Sequence, residues 1–147
     1  MKTLELFSVM ALSFLSAAVH VAAQDCSAAG TVATGGSAGA GGTSASTLGT
    51  AGSCQTDSGT SSSIGSGGSA AADGGNAMSK THVNDNVDRL KAQTKAQAVD
   101  KGSFSKSRTK TTTDGDTLQS TTRTMSHEPG QKPVKDTTQH KIILPEQ

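Results

Sequence analysis

Aromatic side chains are nearly missing from this chain. There is no Trp or Tyr, and of three Phe residues Phe7 and Phe14 fall in the first 23 positions, leaving only Phe104 beyond them. That excludes the stacking platforms on which specific nucleic-acid modules are built. Bulky aliphatics are also few. Leu, Ile, Val and Phe together make up about a tenth of the residues after Ala23, against the roughly 20% below which a chain is expected to stay disordered. Proline occurs only at Pro129, Pro133 and Pro145, which removes collagen from consideration despite the abundant glycine. There is no Cys-x-x-Cys, and His82, His127 and His140 are scattered, so no zinc pattern exists. An excess of charge of one sign is missing as well: 13 Lys and Arg stand against 12 Asp and Glu, a formal net charge of only +1.

What is present begins with a leader. Lys2 and the amino terminus precede an apolar run from Leu6 to Leu15, and Val21 and Ala23 fit the small-residue positions before a cleavage point. This is the grammar of a secretory signal peptide, residues 1–23, cut after Ala23. The apolar part is about ten residues, too short for the roughly 20 of a spanning helix. The expected location is therefore secreted or periplasmic.

Residues 24–77 form a tract of Gly, Ser, Ala and Thr holding 14 of the 17 glycines, with Val32, Leu48 and Ile64 its only bulky apolar residues. Ordering each residue costs roughly 1–2 kcal/mol, and three isolated side chains worth roughly 1.5–3 kcal/mol each do not offset that. The tract is expected to be a disordered low-complexity coil, a Gly/Ser spacer. It shows no fixed period and has no Lys for a phosphate-cradling loop. Cys26 and Cys54 both lie beyond the leader. In an oxidising compartment an even pair points to a disulfide, within the chain or between two chains, with free thiols as the remaining state.

Residues 78–147 are basic, with nine Lys and three Arg against six Asp and two Glu. Val83, Val87 and Leu90 at i, i+4 and i+7 predict a weak helix over 82–101, stopped at Gly102. The Thr-rich alternation over 104–125, centred on Asp114-Gly115, predicts a marginal β-hairpin pairing Thr112 with Thr117 and Arg108 with Thr121. One of its faces would carry Lys106, Arg108, Lys110 and Arg123, a surface for phosphate, lipid headgroups or acidic glycan. In the tail, 126–147, Ile142, Ile143 and Leu144 are the densest apolar spot after the leader, placed to pair with the hairpin edge or to insert into a partner.

The fold class expected is thus mostly disordered: a signal peptide, a coil, then a weak helix and a marginal hairpin with no sizeable core. No cofactor or metal is implied and no catalytic constellation stands out, since nothing in the sequence would bury the carboxylates and histidines present. The functional expectation is an exported, non-enzymatic spacer or envelope-associated structural protein. The alternative is a small partner-binding module in the C-terminal half that folds on contact with an anionic surface or an exported protein.

Overall fold

The computed structural model describes residues 26–86 and 89–145. The leader lies outside them. Within them the chain is not a coil with a weak helix: it forms eight strands and no helix. In order these are β1 (Ala28–Ala40), β2 (Thr43–Thr56), β3 (Gly59–Ala72), β4 (Asn76–Asn86), β5 (Arg89–Asp100), β6 (Ser103–Asp114), β7 (Thr117–His127) and β8 (Val134–Ile143). They make two antiparallel meanders, a three-stranded sheet β1-β2-β3 and a five-stranded sheet β4-β5-β6-β7-β8. The sheets pack face to face, β1 against β7, β2 against β6 and β3 against β5.

The turns explain much of the topology. Gly41 and Gly42 join β1 to β2 with φ of 45° and 76°, the double positive φ of a type I′ hairpin turn, whose twist matches that of the strands. Between β3 and β4 the chain passes from one sheet to the other through Asp73-Gly74-Gly75. A Cβ on Gly75 would stand 2.8 Å from Asp100 Cα, so only glycine fits that crossing.

The interior is made of small side chains. Along β2, β5 and β6 every second residue is buried, and the buried ones are almost all Ala, Ser and Thr. The two sheets approach until Cα atoms of facing strands lie within 8 Å of each other, closer than the roughly 10 Å usual for stacked sheets. Glycine permits this. A Cβ on Gly49 would meet Thr109 Cγ2 at 2.6 Å, and one on Gly36 would meet Thr122 and Thr124 Cγ2 at 2.8 Å. One end holds the only cluster of larger apolar groups among the described residues: Val32, Ala51, Leu118 and Leu144, flanked by Ile64 and Ile142.

Many of the buried hydroxyls satisfy one another, Thr113 Oγ1 being an exception. Thr47 Oγ1 lies 2.7 Å from both Ser107 Oγ and Thr109 Oγ1. Thr109 bonds Thr122 at 2.6 Å, Thr122 donates to Thr34 at 2.9 Å, and Thr34 meets Ser120 at 2.5 Å. Ser120 then reaches Thr111 at 2.9 Å. This line of hydroxyls crosses between the sheets repeatedly, so polar atoms that would each cost about 1–3 kcal/mol unpaired are paired.

The coil expectation failed because it counted only bulky apolar side chains. Alanine, threonine methyls and bare glycine backbone also exclude water when two sheets come this close, and the strand backbones pair in continuous ladders. The expected helix over 82–101 failed for a related reason. Ala92, Thr94, Ala96 and Ala98 are buried while Lys91, Gln93, Lys95 and Gln97 point out, so burial under β3 overrides the helical propensity of Ala, Lys and Gln. Val87, one of the three residues carrying that helical spacing, lies outside the described residues.

The hairpin over 104–125 does form, as β6 and β7, but its turn is Gly115-Asp116 and Asp114 pairs with Thr117. Arg108 therefore faces Arg123 rather than Thr121. The displacement is by two residues, so each side chain keeps its face. Ile142 and Ile143 belong to β8, which pairs with β7. The ring closed by Cys26 and Cys54 is a disulfide within the chain, with Cα atoms 5.4 Å apart.

Candidate anion-binding face

The outward side of the five-stranded sheet follows from its register. Residues directly opposite one another on antiparallel strands share a face. Lys80 pairs with Lys95, Lys95 with Arg108 and Arg108 with Arg123, so four cations from four strands stand in one row across the sheet. With strands about 4.8 Å apart, they are near neighbours. On one side of that row Lys106 lies between Gln97 and Met125, with Lys135 beyond Met125. On the other side Lys110 lies between Gln93 and Thr121. Further along come Lys91 and Lys141, then Arg89 beside Asp114.

Ten of the chain's 13 Lys and Arg residues therefore occupy this one face. Among the described residues Asp114 is its single carboxylate, and it is held by Arg89 at 3.2 Å. The opposite side of the molecule is the reverse: β1, β2 and β3 contain no charged residue. A net charge of +1 hides this separation completely.

Several cations are held in place. Arg108 Nη2 donates to Gln93 Oε1 at 2.7 Å. Lys106 Nζ lies 5.0 Å from the centre of the Phe104 ring, which in turn packs on His127 with ring centres 5.3 Å apart. Such a cation–ring contact contributes about 0.5–1 kcal/mol where exposed. In the middle of the face is an open hollow of about 350 Å³ lined by Arg108, Lys110, Arg123, Gln119, Thr121 and Gln139. Three cations and three neutral hydrogen-bonding side chains thus converge on one depression, with no carboxylate in its wall.

The structure brings all four of the expected basic residues, Lys106, Arg108, Lys110 and Arg123, to this face. Sequence reasoning missed Lys80, Arg89, Lys91, Lys95, Lys135 and Lys141; a helix over 82–101 would have scattered Arg89, Lys91 and Lys95, and no strand was expected at the other three. The signal was available: K-A-Q-T-K-A-Q-A alternates with a period of two from Lys91 to Ala98. The apolar triplet in the tail divides. Leu144 is buried in the core cluster, Ile142 packs against it, and only Ile143 is exposed. Two of these three therefore serve the interior and are not open to a partner.

No family model matches the chain, and no curated protein or solved structure matches it either.

Proposed function

We propose that this is an exported, non-enzymatic protein that binds anionic polymers or surfaces through the outer face of its five-stranded sheet. The row Lys80–Lys95–Arg108–Arg123 is the observation that carries the reading. Like charges set directly opposite on neighbouring strands are unfavourable, and a sheet that keeps four of them in line gains from it when an anion covers them. The face needs no partner to form, because the sheet behind it is already packed. Export is supported by the leader and by the Cys26–Cys54 disulfide, which belongs to an oxidising compartment. Among the described residues the single carboxylate on the face is paired with Arg89.

Binding of the processed chain to poly-glutamate beads, measured from low to high salt, tests this. Retention is expected to fall steeply as salt rises, since exposed charges are screened over about 10 Å at 0.1 M. The double variant Arg108→Glu, Arg123→Glu is expected to abolish it. Retention unchanged by that double reversal would sink the proposal.

A further inference from the structure

The hollow at the centre of the basic face differs from the rest of it. Elsewhere on the face neutral amides stand singly among the cations, Gln97 opposite Lys106 and Gln93 tied to Arg108. Around the hollow, Gln119, Thr121 and Gln139 add two amides and a hydroxyl beside Arg108, Lys110 and Arg123. Amides and hydroxyls contribute little to a bare charge, but they pair well with neutral hydroxyl groups that carry both donors and acceptors. The combination suits a ligand unit bearing an acidic group and several hydroxyls together. Resting on the anion-binding reading of the same face, we infer that the hollow is a subsite for one acidic sugar of a linear anionic polysaccharide. Arg108 and Arg123 take its carboxylate or sulfate, and Gln119, Gln139 and Thr121 take its ring hydroxyls.

Geometry favours this over the other polyanions. Lys80 and Lys95 continue the row of Arg108 and Arg123 toward β4, so an extended chain crossing the strands meets a cation at each step of about 4.8 Å. A flat bilayer would rest on the rim without filling the hollow. The exposed apolar side chains of this face, Met78, Val99 and Ile143, sit at its margins on β4, the end of β5 and β8, where they do not form an inserting patch. Single-stranded nucleic acid needs aromatic planes to stack on, and the one Phe of the face has Lys106 over its ring and His127 beside it.

The test measures affinity of the disulfide-bonded chain for polygalacturonate, a sulfated glycan, poly-glutamate and anionic phosphatidylglycerol vesicles across a salt series. Both glycans are expected to remain bound at salt that releases poly-glutamate and vesicles. Which glycan holds longer distinguishes carboxylate from sulfate as the preferred group. The double variant Gln119→Ala, Gln139→Ala changes only outward side chains, and an unchanged thermal midpoint checks that it is folded. It should lose about tenfold for the glycans, the loss of two ordinary hydrogen bonds, and stay within about twofold for poly-glutamate. Equal binding of all four probes, falling in parallel with salt, would overturn the subsite while leaving the basic face standing. Tighter binding of vesicles than of either glycan would also overturn it. No binding to any probe would remove the face reading itself.

Discussion

At Gly49 the side chain is a hydrogen atom because nothing larger fits between the sheets. An added Cβ would collide with the Thr111 hydroxyl and lie 2.6 Å from Thr109 Cγ2, and both threonines are fixed by hydrogen bonds to β7. Gly67 has nothing within 4 Å of a built Cβ. Gly49→Ala is therefore expected to lower stability by about 1–3 kcal/mol through overpacking. Gly67→Ala should leave it unchanged or raise it by up to about 1 kcal/mol. Urea melts of the two variants check the contrast, and equal midpoints would mean that the sheets are not in close contact. Lys101 is the opposite case, a residue where glycine or asparagine would do better. It is the one non-glycine residue with positive φ among those described, at 46°, and it precedes Gly102 at 86°. Asn-Gly is the favoured pair for that turn, so Lys101→Asn should raise stability by roughly 0.5–1 kcal/mol. A fall in the thermal midpoint would count against the turn as described.

Among the elements, the hairpin β1–β2 has only Val32 and Leu48 as bulky apolar residues, and it has covalent support. Its strands pair from Ala28–Gln55 to Ala40–Thr43, and Cys26–Cys54 ties its open end. Closing that loop in advance removes on the order of 3–4 kcal/mol of unfolded-state entropy in the chain-entropy model. Cys26→Ser with Cys54→Ser is expected to reduce urea stability by about that amount, and reductant should do the same to the native chain. How legible each element was in the sequence depended on what marked it. The Asp114-Gly115 signal located a hairpin, and because side chains alternate with a period of two, its displaced register still placed Lys106, Arg108, Lys110 and Arg123 together. β5 was legible only as alternation, and Val83 with Leu90 at helical spacing competed with it. β1 to β3 carried no local signal, since their stability lies in close approach to a second sheet built from residues 76–143, distant in sequence. That sheet, in turn, supplies the threonines their glycines require.

For the whole molecule the distribution of charge is the property that composition concealed. Sheet β1-β2-β3 is uncharged, and sheet β4-β5-β6-β7-β8 gathers ten cations on its outer side. Such a face works against its own fold. Directly opposed like charges cost some tenths of a kcal/mol to about 1 kcal/mol per pair, and the row from Lys80 to Arg123 contains three such pairs. Two opposite effects on one variant follow. Lys95→Glu would place a carboxylate between Lys80 and Arg108, turning two repulsive pairs into attractive ones, so the thermal midpoint should rise by several degrees. The same change should weaken polyanion binding, because it removes a cation from the row and sets an anion in its place. Moderate salt should raise the midpoint of the native chain by screening the row, and should raise that of the Lys95→Glu variant less. A residue placed only for stability would not behave this way: Lys95→Glu would then destabilise the fold, or leave binding as it was. Stability gained at the same position where affinity is lost is what distinguishes a surface kept for a ligand from one that is merely wet.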